Sequence, residues 1–196
     1  MAENYNEIIY DNNVVEFVAV ANQFCKVLEM SASIEKGDFI EISWKMLALL
    51  YQKAVSLPKI EPLYNSENEK FVTEQAWSYI KHNIATKLGM HESFVDVFVI
   101  DAMETSETES VGTSECFADI YQDLKDFLTA YEIGNEEIML NALWEVTENF
   151  GRFWGGRVLA LLSVFHSIRF NSKDIDNENF TGSLNSSDDF DNDEWN

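Results

Sequence analysis

Four carboxylates, Glu115, Asp119, Asp123 and Asp126, follow one another at spacings of four, four and three residues. On a helix with about 3.6 residues per turn, such spacing stacks them along one face. Like charges at i, i+4 repel by roughly 0.2–0.5 kcal/mol each, so the stripe needs water, an arginine or a cation beside it. Water is the leading reading, because unpaired carboxylates stay solvated. An arginine from a second helix layer is the next. A hard divalent cation such as Mg²⁺ or Ca²⁺, which accepts carboxylates alone, is the third. A di-metal bundle would show Glu-x-x-His on facing helices, a context that His82, His91 and His166 lack. All three arginines, Arg152, Arg157 and Arg169, fall in the last predicted helix. Arg157 projects near the apolar face of that helix, where a buried guanidinium requires a carboxylate partner. It is therefore predicted to pair with the stripe, with Asp119 or Asp123 foremost.

No catalytic residue is assigned. The chain has no G-x-S-x-G and no H-E-x-x-H, and the glycines at Gly151, Gly155 and Gly156 are not followed by the Lys-Ser/Thr of a phosphate loop. Trp144, Phe150, Phe153 and Trp154 read mainly as core aromatics; Trp154 is kept beside the carboxylates and Arg157 as a candidate binding residue. Cys25 lies in an apolar stripe and reads as a small buried hydrophobe, and Cys116 sits beside Glu115, a poor setting for a reactive thiolate. No cofactor is expected.

The elements that position these groups read as helices. Val14, Phe17, Val18, Ala21, Phe24, Cys25 and Leu28 form one apolar stripe over about Asn13 to Met30, with Asn13 and Glu16 as a capping box. A second helix is predicted from Asp38 and ends before Leu57-Pro58. A third is capped by Thr73 and stops at Gly89. Phe94 to Ile100 is strand-like in composition but is read as a short fourth helix in its helical context. Glu104 to Ser114 lacks apolar periodicity and reads as a mobile acidic loop. The fifth helix, about Glu115 to Tyr131, repeats the stripe through Phe117, Ile120, Tyr121, Leu124 and Phe127. Gly134-Asn135 then turns the chain into a sixth helix starting at Glu136, with a kink or break expected at Gly151, Gly155 and Gly156. The fold class is all-α: one bundle of about six helices over residues 1–170, its last two long helices forming a hairpin. Residues 171–196 form an acidic tail expected to be disordered.

The run Ala118-Asp119-Ile120-Tyr121-Gln122-Asp123-Leu124-Lys125-Asp126-Phe127 resembles the signature of a bacterial family known as domain of unknown function number five-zero-six-three. Ala142-Leu143-Trp144-Glu145, Asn149-Phe150, Phe153-Trp154-Gly155, Leu49-Leu50-Tyr51, Leu57-Pro58 and Val72-Thr73-Glu74 are similar to it too. The resemblance spans roughly Asn13 to Phe170. It implies a compact all-helical domain and supplies no catalytic residue or cofactor.

The charge narrows the function classes. Among 196 residues there are 35 acidic and 13 basic side chains, a formal net charge of −22. Nucleic acid and anionic membrane are both excluded as partners, since each needs clustered Lys and Arg. The acidic N-terminus has neither a basic start nor an apolar run, so a cytoplasmic protein is expected. The tail holds eight acids and one lysine, a net of −7, which leaves −15 for the rest. These features favour a non-enzymatic interaction or adaptor domain with a protein partner. Its contact would be a groove beside the hairpin or the tail with Phe180, Phe190 and Trp195. The alternative is a divalent-metal-binding or hydrolytic domain on the fifth-helix stripe. Mimicry of nucleic acid by surface charge is a weaker third. The oligomeric state stays open.

Overall fold

The first long stripe of apolar residues does form a helix, and the rest of the chain is built around its partner. The computed structural model describes residues 5–61, 68–100 and 106–171. A short α1 (Tyr5–Ile9) leads into α2 (Asn12–Glu29) and α3 (Lys36–Ala54). After α4 (Glu74–Leu88) come two strands, β1 (Phe94–Ile100) and β2 (Ser106–Gly112). The last described elements are α5 (Thr113–Glu132), α6 (Glu136–Asn149), a π-helical turn at Phe150–Trp154, and α7 (Gly155–Asn171). The molecule is thus a helical bundle carrying one small antiparallel ribbon. The acidic tail lies outside the described residues. No helix among them is long and apolar enough to cross a membrane.

Helix α5 is the hub: α2, α4, α6 and α7 all pack on it. Phe24 stacks on Phe117, and Phe117 meets Phe165 edge-on at 5.4 Å, so three helices share one aromatic seam. Cys25 and Cys116 are both free and buried in this core. Burial raises both thiols, Cys116 to about 12, which leaves neither as a nucleophile near neutral pH.

Local chemistry sets most helix ends. Thr73 caps α4 by accepting from the Ala76 amide at 3.2 Å, and Gly89 stops it with φ +56°. Gly134 turns at φ +77°, and Asn135 then accepts from the Glu137 and Ile138 amides, closing the α5–α6 hairpin. Two starts differ from expectation. Helix α2 begins one residue early because Asp11, not Asn13, is its N-cap, accepting from the Asn13 amide at 2.8 Å. Helix α3 begins at Lys36 and not at Asp38, with Glu35 as its N-cap.

The larger corrections concern residues 94–112. Phe94 to Ile100 is a strand, not a helix, and Ser106 to Gly112 pairs with it and is not a loop. Val95, Val97 and Val99 alternate with period two, and β-branched side chains favour the pleated form. Val97 and Val111 are buried on the inner face. The polar strand β2 carries almost no signal of its own; its pairing comes from β1 across the ribbon.

The expected break after α6 is a π turn. A Cβ on Gly155 would lie 2.4 Å from the Phe150 carbonyl oxygen, and one on Gly156 would lie 2.6 Å from that of Phe98. These two glycines therefore permit the π turn and the seat of β1 on α7, respectively.

Candidate functional site

The α5 carboxylates do stack along one side of the helix, but other elements cover that side. Only Glu115 behaves as a surface acid, meeting Lys81 of α4 at 2.5 Å with both side chains part-exposed. Asp119 accepts from two directions, the Arg157 Nε at 2.8 Å and the Trp77 indole N–H at 3.0 Å. Asp123 accepts from Asn149 Nδ2 of α6 at 2.7 Å. Asp126 Oδ1 accepts the backbone amides of Phe71 and Val72 at 2.7 and 2.8 Å, tying the segment before α4 onto α5. The solvated reading of this stripe is therefore corrected. Because α5 is wrapped on several sides, its polar face meets donors from α4, α6, α7 and the 68–72 segment instead of water.

Burial shows in the electrostatics. Desolvation raises the carboxyls of Asp119, Asp123 and Asp126 above the ordinary range, Asp123 to about 6. Hydrogen bonds from Arg157 and Trp77 pull Asp119 back down, Asn149 does so for Asp123, and the two backbone amides for Asp126.

Arg157 is the arginine that faces inward, its side chain 4% exposed. Its second nitrogen reaches the Phe153 carbonyl at 3.4 Å and its third reaches Glu109 of β2 at 3.5 Å. The guanidinium lies 3.6 Å over the Phe153 ring. A planar cation held by one strong acceptor and a ring face is a structural strut joining α5, α7 and the ribbon. Trp154 serves the core: it is fully buried, stacks on Phe17 at 6.4 Å, and donates its indole N–H to the Val146 carbonyl.

Several residues that organise this region were not singled out from the sequence. Glu145 accepts from Lys70 at 2.7 Å and from Asn68 at 2.6 Å, and Asn141 donates to Asn68. Glu92 accepts from the amide and hydroxyl of Ser114, capping the first turn of α5 from 22 residues away. These pairings link distant segments, so no local spacing announces them.

The chemistry open to this cluster is narrow. Between the 68–70 segment, α5 and α6 lies a cavity of about 10 Å³ beside Asp123, Asp126 and Glu145, the room of one water molecule. A wider hollow of about 240 Å³ opens beside Val72, Thr73, Trp77 and Gln122, with Glu74 its only acid among the described residues. Among the described residues, no group of three or more His, Cys, Asp or Glu side chains is placed to hold a metal ion. His166 is exposed at the rim, against Phe170 at 4.6 Å and Trp44 at 6.4 Å.

The ribbon presents a different surface. On its outer face Phe94 is 79% exposed and Phe98 is 70% exposed, with exposed Asp96 between them.

Residues 8–171 match the model of the domain of unknown function DUF5063. The chain belongs to this family. The match begins at the end of α1 and runs through α2 to α7, the ribbon included. The chain is also similar to a crystal structure of protein BF1032 from Bacteroides fragilis, at 35% identity and a TM-score of 0.72. The match covers 85% of this chain and 98% of the other. No curated protein matches.

Proposed function

We propose that this DUF5063 protein is a non-enzymatic interaction domain that engages a protein partner in the cytoplasm through the outer face of its β-ribbon. The observation that carries this reading is the exposed pair Phe94 and Phe98. Two phenylalanines on one face of a strand, about 13 Å apart at roughly 3.3 Å per residue, contribute nothing to the core in that position. Large apolar side chains displayed together are characteristic of contact surfaces. The state of the α5 carboxylates supports the non-enzymatic half. Each of the four accepts a hydrogen bond from within the domain, and the cavity beside Asp123 and Asp126 is too small for a substrate.

The test uses the tagged full-length chain and its Phe94→Ser/Phe98→Ser variant as baits in lysate of the source organism. Both side chains are exposed, so the variant is expected to melt at the same temperature. The expected result is a stoichiometric partner retained by the wild type and lost by the variant. Recovery of the same partners by both baits would reject the ribbon as the contact. A third bait lacking residues 172–196 separates the ribbon from the tail.

A further inference from the structure

The ribbon has two edges with different surroundings. Strand β1 is packed by the π turn and α7, with Gly156 seated against the Phe98 carbonyl. Among the described residues, strand β2 packs on β1, meets α5, and reaches α7 through Glu109, 3.5 Å from Arg157. Glu107, Thr108, Glu109 and Ser110 are all exposed. A short exposed strand with one paired side offers a row of backbone donors and acceptors to another chain.

Side-chain placement along that edge has a period of two. On the inner face, Glu109 stands opposite Val97, and Glu107 lies two residues further along the same face of β2. On the outer face, Gly112 stands opposite Phe94, Ser110 opposite Asp96 and Thr108 opposite Phe98. The outer face thus has a shallow shelf of small residues on β2 beside two projecting rings on β1. The inner row at the open edge is acidic, and Asp96 adds a third acid to the ribbon, on its outer face.

We propose that the free edge of β2 accepts an extended cationic segment of a partner protein as a third strand, with basic and apolar side chains in alternation. This rests on reading the chain as an interaction domain and specifies what its ribbon selects. Successive residues of an added strand point to opposite faces. Its basic side chains meet Glu107 and Glu109 on one face, while its apolar side chains cross the Ser110 and Thr108 shelf toward Phe94 and Phe98 on the other. Backbone bonds to β2 supply affinity and the alternation supplies specificity. Charge complementarity chooses the occupant. A second copy of this chain, at −22, is repelled, and so is the chain's own tail, at −7. A segment lacking basic residues offers no counter-charge to Glu107, and none to Glu109 beyond Arg157 at 3.5 Å.

The probe is a synthetic eight-residue peptide of alternating Lys and Val. Its control is a block peptide of the same composition, four Lys followed by four Val. Both carry a dye for fluorescence anisotropy and are titrated with the full-length protein at about 0.15 M salt, where exposed charges are screened beyond about 8 Å. The alternating peptide is expected to bind at least tenfold more tightly than the block peptide. Glu107→Gln/Glu109→Gln and Phe94→Ser/Phe98→Ser are each expected to remove that preference. Hydrogen exchange at the amides of residues 107–110 is expected to slow at least tenfold when the alternating peptide binds, a readout that loose electrostatic adhesion would not move. Equal affinity for the two peptides, or no slowing at β2, overturns the proposal. If that happens while Phe94→Ser/Phe98→Ser still abolishes partner capture, the third-strand mode falls and the interaction domain stands. If capture also survives, both fall.

Discussion

Removing the carboxylate of Asp119 is the sharpest test of how the bundle is held together. Asp119→Ala deletes the acceptor of Arg157 Nε at 2.8 Å and of the Trp77 indole N–H at 3.0 Å. The guanidinium left behind has a side chain only 4% exposed, so water reaches it poorly. Its remaining oxygen contacts, Phe153 at 3.4 Å and Glu109 at 3.5 Å, are long. Breaking a buried ion pair by removing one partner typically costs about 3–5 kcal/mol. Asp119 is itself penalised by desolvation, and its removal relieves that, so the lower end, about 3 kcal/mol, applies here. For a chain of this size each kcal/mol moves the melting temperature by roughly 2–4 °C. Circular-dichroism melts should therefore show a drop of about 6–12 °C. Adding Arg157→Met removes the stranded charge, so Asp119→Ala/Arg157→Met should lose less than the sum of the two single variants. A drop under about 2 °C for Asp119→Ala, or strict additivity in the double-mutant cycle, would refute the strut.

Other expectations follow from the same geometry. Burial holds the Asp123 carboxyl at about 6, against 3.8 for the free group. The folded state thus prefers the protonated form, and the destabilisation is full above pH 6 and relieved as pH falls toward 4. Asp123→Asn should remove up to about 3 kcal/mol of this dependence, and identical slopes of urea-measured stability between pH 4 and 6 in both proteins would contradict it. Gly156→Ala forces a Cβ to within 2.6 Å of the Phe98 carbonyl oxygen and should lose about 1–3 kcal/mol. Gly151→Ala meets nothing within 4 Å and should not destabilise; equal melts for the two glycine variants would refute this packing. Millimolar Mg²⁺ or Ca²⁺ should leave the melting temperature unchanged, since the α5 carboxylates already have donors. A rise of several degrees, the mass-action signature of binding, would restore the metal reading of the stripe.

What the sequence determined by itself was local and periodic. The stripe from Val14 to Leu28, the stops at Gly89 and Gly134 and the caps at Thr73 and Asn135 depend on neighbours a few residues away, so they were legible as spacing. Arg157 was legible for a related reason, since a cation on an apolar face demands a carboxylate wherever the chain supplies one. Only the tertiary structure decided which carboxylate, and what became of the others. Spacing placed Glu115, Asp119, Asp123 and Asp126 on one side of α5, but whether that side met water depended on α4, α6, α7 and the 68–72 segment closing over it. The β-ribbon shows the same division. Val95, Val97 and Val99 carried a faint period of two, whereas the acidic stretch opposite became a strand only because β1 was there to pair with it. Backbone pairing across the ribbon depends on a partner strand, and β2 carried almost no apolar pattern from which that partner could be read.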